Sequence, residues 1–148
     1  MRIWIAMFCG MHCLFPEASA QDKAAKSTLI KPVQVWEGRF DRDEPASGKY
    51  SIDVITDARS FGIPWKIFRW EQKVPAIKFD EHFAVLLIYP GFQYALDGLK
   101  VDDQGDAKVA GSGIEKAVAV PHGKWYVLAI FPRAKVKSVD GVKILSGK

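Results

Sequence analysis

Beyond its first twenty residues, two stretches of the chain are apolar at almost every position. They are FAVLLIY (Phe83 to Tyr89) and KWYVLAIF (Lys124 to Phe131). A strand with no polar side has no face to offer water, so both are predicted as central strands buried on two faces. The flanking segments read differently. VQVWEGRF (Val33 to Phe40) alternates well enough for a strand, and YSIDVI sets Tyr50, Ile52 and Val54 against polar partners, the pattern of a half-buried strand. The Asp, Pro, Ser and Gly content of DRDEPASGK between them marks a loop. QYALDGLKV and AKVAGSG flank DDQGD and read as two antiparallel strands with a polar turn at Asp102 to Asp106. AVAV is a short strand before the turn PHG. VKSVDGVKIL places Asp140-Gly141 between two alternating arms, a strong hairpin signal.

One segment has helical rather than strand spacing. Thr56 or Asp57 can cap it, and Phe61, Trp65 and Phe68 then recur at i, i+4 and i+7 on one face. Gly62 and Pro64 interrupt the run, and proline lacks the donor a helix interior requires. The expectation is a short helix, a break, and a second short turn starting at Pro64. These elements sum to a single α+β domain over residues 32–148: one mostly antiparallel β-sheet of about six to eight strands with one short helical segment packed on it. Gln21 to Lys31 carries few core residues and reads as a flexible lead-in.

The first twenty residues have another pattern. Arg2 is followed by an apolar run from Ile3 to Phe15, then Pro16, then Ala18-Ser19-Ala20. That is the order of a cleaved secretory signal, with Gln21 as the new N-terminus. The run is too short for a permanent membrane span, which takes ~20 residues. Cys9, His12 and Cys13 fall inside it as C-x-x-H-C, the spacing of neither a zinc site nor haem attachment. On this reading the mature chain has no cysteine, no disulfide and no transmembrane anchor, and works in the periplasm or outside the cell.

The formal charge is +4 in the full chain and stays there after cleavage, since Arg2 and Glu17 leave together. Mostly it is lysine scattered among carboxylates. Export argues against nucleic acid; the partner expected is another exported protein or an anionic envelope polymer. Catalytic signals are weak. His82 and His122 remain after cleavage, with Asp80 and Glu81 near the first, but no H-x-H or H-x-x-x-H spacing arranges them for a metal. AGSGI around Ser112 lacks the strand–elbow–helix setting of a nucleophile. DDQGD alternates like a calcium loop, yet Ala107 replaces the turn glycine and Gly113 the closing glutamate. No catalytic residue, metal or cofactor is therefore assigned. Among the aromatics Trp36 and Trp65 are expected in the core, and Trp70, between Arg69 and Glu71, at the surface as a binding residue.

From Val54 to Leu145 the order of features is similar to a known family. VITDARSFGIPW resembles its strand and capped helix opening, and VPAIKFDEHFAVLLIYPG its approach to a buried strand and glycine. LKVDDQGDAKV and KWYVLAIFPRAKVKSVDG resemble its hairpin and closing strand with a basic arm. The chain thus resembles the C-terminal domain of PrcB-type protease-complex subunits and short exported proteins sharing it. The resemblance implies a non-catalytic accessory or binding domain, and brings no catalytic residues with it.

The functional expectation is a non-enzymatic accessory or protein-binding module of the cell envelope. Its alternative is a small envelope hydrolase or metal-dependent enzyme using His82 and His122. For the module, Arg133, Lys135, Lys137 and Lys143 concentrate around the Asp140-Gly141 hairpin. In a strand Lys135 and Lys137 share one face, either as a docking edge for an acidic partner or as lysines that guard an edge from other chains.

Overall fold

The computed structural model describes residues 26–41, 51–90, 93–114 and 123–144. The leader and its cleavage point, the loop after residue 41, AVAV and His122 lie outside the described residues. In chain order the elements are β1 (Thr28–Ile30), β2 (Gln34–Asp41), β3 (Ser51–Ile55), α1 (Ala58–Phe68), β4 (His82–Pro90), β5 (Gln93–Val101), β6 (Asp106–Ile114), β7 (Gly123–Pro132), β8 (Ser138–Val139) and β9 (Val142–Lys143). All pairings are antiparallel except that of β6 with β8.

The strands form two sheets, which corrects the expectation of one. A four-stranded sheet runs β2-β7-β4-β3 and a five-stranded sheet β1-β5-β6-β8-β9. The physical reason lies in β4 and β7. Both their faces are apolar, so both need a covering layer. On one side Phe83, Val85, Leu87 and Tyr89 of β4, with Val127, Ala129 and Phe131 of β7, pack against Leu99, Val101, Ala107 and Val139 of the five-stranded sheet. On the other, Ala84, Leu86, Tyr126, Leu128 and Ile130 pack with Ile55 and with Phe61 and Trp65 of α1. The β5–β6 hairpin folds over the four-stranded sheet instead of extending it. Leu87, Leu128, Phe83 and Phe131 are fully buried, and each such side chain contributes about 1.5–3 kcal/mol of transfer free energy.

On the helix side the layer is aromatic. Trp36 meets Trp65 edge-on at 4.8 Å, and Phe68 stacks on Tyr126 at 4.3 Å. Arg69, just past the helix, donates from Nε to the Tyr126 hydroxyl at 2.9 Å and from Nη2 to the Glu37 carbonyl at 3.1 Å, tying α1 to β2 and β7. Gly38 makes room for this ring, since a Cβ there would lie 2.9 Å from Tyr126 Cε1.

Asp57 is the helix cap: its Oδ1 accepts the Ser60 N–H at 2.9 Å. That hydrogen bond to the charged form holds its carboxyl below the ordinary carboxylate range. The expected break at Pro64 is absent. The helix runs through it from Ala58 to Phe68, with Pro64 buried on the core-facing side beside Phe61 and Trp65. Burial of that apolar face offsets the missing N–H, and tertiary packing overrides local propensity. A second departure is β1. Thr28–Ile30, read from sequence as lead-in, pairs with Leu99–Val101 at the edge of the five-stranded sheet.

Candidate functional site

The outward face of the five-stranded sheet is set by an irregularity in β5. Tyr94, Leu96, Leu99 and Val101 all pack towards the inter-sheet core, although Leu96 and Leu99 are three apart and strict alternation would put them on opposite faces. A bulge absorbs the extra residue: pairing passes from Leu96↔Gly111 to Gly98↔Ala110 and leaves Asp97 over. Gly98 is required there. Its φ is +153° and a Cβ would come within 2.4 Å of the Ile30 carbonyl oxygen on β1. Past the bulge the alternation resumes with Val101 inward and Lys100 outward.

Lys100 then stands directly opposite Lys108 of β6. Like charges facing each other across a sheet destabilise it. No ion pair among the described residues relieves these two. Both line an open cleft of about 1150 Å³, to which Lys137 and Lys143 contribute from the other side. Three carboxylates share this cleft, and each has structural work. Asp102 Oδ1 accepts the N–H groups of Gln104 and Asp106, each at 2.9 Å, and shapes the β5–β6 turn. Asp106 Oδ1 accepts the Ser138 hydroxyl at 2.6 Å, bridging β6 to β8. Asp140 Oδ2 accepts the Val109 N–H at 3.1 Å, beyond the end of β8. Lys100 and Lys108 also line an adjoining cleft of about 890 Å³, where Leu29, Pro32, Leu96 and Val109 add apolar surface, Lys31 a further cation and Asp97 a carboxylate. The face therefore carries five lysines beside four aspartates, is partly apolar and runs continuously from β1 to β9.

The residues expected from sequence divide among three places. Lys137 and Lys143 lie on this cleft. Lys143 belongs to β9, and the Asp140-Gly141 hairpin forms as expected, with φ of 45° and 84° at its two turn positions. Lys135 is exposed, but it occupies a turn with φ 71° rather than a strand, and β8 begins only at Ser138. The expected shared strand face of Lys135 and Lys137 is thus corrected. Arg133 turns inward: Nε donates to the carbonyls of Phe79 at 2.8 Å and His82 at 3.0 Å, and Nη2 to that of Thr56 at 3.2 Å. It clamps the start of α1 and the approach to β4 onto the end of β7. Trp70 is 76% exposed, as expected, but stands beyond the C-terminus of α1, on the helix side of the four-stranded sheet.

Lys100 and Lys108 escaped the sequence reading. The apolar pattern shifts phase across Asp97-Gly98, but the pairing of Lys100 with Lys108 depends on the register past the bulge. His82 is half-buried, with Nδ1 3.3 Å from the Lys78 carbonyl oxygen. Among the described residues no three of His, Cys, Asp and Glu gather to hold a metal, and no helix is long and apolar enough to cross a membrane. In comparisons with known proteins, no family model, curated protein or solved structure matches the chain.

Proposed function

We propose that this protein is an exported, non-catalytic accessory module of the cell envelope that docks an acidic protein on the outward face of its five-stranded sheet. The observation that carries the reading is the facing pair Lys100 and Lys108, placed outward by the Gly98 bulge and flanked by Lys137 and Lys143 on an open cleft. Two opposed cations that make no ion pair weaken the isolated sheet; a carboxylate from a partner turns that repulsion into attraction. The mixture of lysines with Leu29, Pro32, Leu96 and Val109 suits an acidic protein segment better than a uniformly charged polymer, because a polymer has no apolar groups to cover these. Export rests on the Arg2, Ile3–Phe15, Ala18-Ser19-Ala20 pattern alone.

The test is capture from envelope extract on immobilised protein, followed by a salt gradient. We expect one acidic protein retained in stoichiometric amount and released as salt shortens the screening length from ~10 Å at 0.1 M to ~3 Å at 1 M. Retention of an anionic polymer instead, or of a protein indifferent to salt, contradicts the proposal.

A further inference from the structure

The opposite side of the molecule carries a second unpartnered surface. Helix α1 buries Phe61, Pro64 and Trp65, yet Ile63 and Ile67, four residues apart on the other side, are 62% and 46% exposed. Trp70, two residues past the end of the helix, is 76% exposed. A small helix whose core face is already satisfied has no folding reason to show two isoleucines and a tryptophan to water. Helical geometry puts Arg59 four residues before Ile63 and Lys66 three after it, so both cations flank the ridge, and both are exposed. Lys73 follows in the next segment. The helix itself contains no acidic residue. In the sequence the carboxylates that flank the helix are Asp57, which accepts the Ser60 N–H at the helix start, and Glu71 beside Trp70. Arg69 is not part of the ridge, being engaged with Tyr126 and Glu37.

We infer that this ridge rests on an anionic lipid bilayer, with Ile63, Ile67 and Trp70 in the headgroup–acyl boundary and Arg59 and Lys66 against the headgroup phosphates. Three features select a bilayer as occupant. The ridge is the convex outside of a helix, and a fluid surface needs no matching groove. Its apolar groups are flanked by cations that reach the phosphates while their stems lie on the acyl boundary. An exposed tryptophan follows the helix, the side chain that favours the membrane–water interface. With α1 on the membrane, the five-stranded sheet points its lysine-bearing face away from it, because the four-stranded sheet lies between them.

The experiment is flotation of the full chain with vesicles of phosphatidylglycerol and phosphatidylcholine, and with phosphatidylcholine alone. Since Ile3–Phe15 is itself apolar, each variant is compared with the unaltered chain carrying the same N-terminus. Ile63→Ser/Ile67→Ser and Trp70→Ala should each weaken partitioning by roughly tenfold or more, the scale set by burying large apolar side chains. Arg59→Gln/Lys66→Gln should weaken it by about tenfold or more on the anionic vesicles and leave phosphatidylcholine binding unchanged. Thermal melts of the variants should match the unaltered chain, because these side chains are exposed. Partitioning unchanged in all three variants overturns the inference, as does equal binding to both vesicle types. So does a dimer in sedimentation that the serine variant dissociates, since the ridge is then covered by a second copy.

Discussion

The two sheets of this protein use their residues in opposite ways. In the four-stranded sheet the central strands β4 and β7 are buried on both faces and read Phe83-Ala84-Val85-Leu86-Leu87 and Tyr126-Val127-Leu128-Ala129-Ile130-Phe131, all within a few per cent of complete burial. The five-stranded sheet covers the first on one side only. Its outward side holds the lysine pair of β5 and β6, four aspartates, three of them engaged in hydrogen bonds within the fold, and two clefts. Where burial is complete, the chain has no freedom to place charge. Where one face is open to water, the chain can place like charges opposite each other, as Lys100 and Lys108 are.

That contrast can be broken most forcefully in the buried sheet. Leu87→Ala and Leu128→Ala should each lower unfolding free energy by ~2–5 kcal/mol in urea titrations, as large-to-small core changes do. A neutral result at both positions would show that the core lies elsewhere. Next comes Arg133, a member of the basic run that structurally serves the four-stranded sheet. Arg133→Ala removes a charged donor from the carbonyls of Phe79, His82 and Thr56, and should cost about 1.5–3 kcal/mol. Lysine there should restore little, because a single ammonium cannot reproduce the planar fork. The lysine pair should go the other way. Lys108→Gln is expected to leave stability unchanged or raise it by ~0.2–1 kcal/mol, the scale of cross-strand pair terms. A clear loss would mean that Lys108 is structural.

The smallest effect concerns the helix that covers the buried sheet. The Asp57 carboxyl titrates below its ordinary range when folded, because it accepts the Ser60 N–H. The folded state therefore favours the carboxylate. Its contribution is fully present above the unfolded-chain value of about 3.9 and is lost as pH falls through the lower folded value. Asp57→Asn keeps a cap without the charge. Urea midpoints measured down the acid range should show the unaltered chain converging on the variant as pH drops. Curves that stay parallel would remove the carboxylate from the account.

The division between the sheets also explains what sequence revealed. Strands β4 and β7, the polar β5–β6 turn, the Asp140-Gly141 hairpin, a helix cap at Thr56 or Asp57 and exposed Trp70 all depend on neighbours within a few positions, and each was legible. The second sheet was not, because nothing within QYALDGLKV says whether its hairpin extends a sheet or folds across one. Pro64 misled for the same reason: its local penalty is visible in sequence, while the burial that offsets it involves β4 and β7. Arg133 looked like a surface cation because its three carbonyl partners lie 51 to 77 residues away. Lys100 and Lys108 each read singly as solvated lysines, and only the register past the bulge makes them a pair.

The central claim is that the bare sheet face binds while the buried sheet holds the fold, and Lys100→Glu/Lys108→Glu tests it in a single preparation. Thermal unfolding and capture of the acidic partner are measured on the same double variant. The account predicts a melting temperature within a few degrees of the unaltered chain, as for surface changes of about 0.5 kcal/mol, together with loss of capture. Capture at undiminished affinity, with the fold intact, would contradict it.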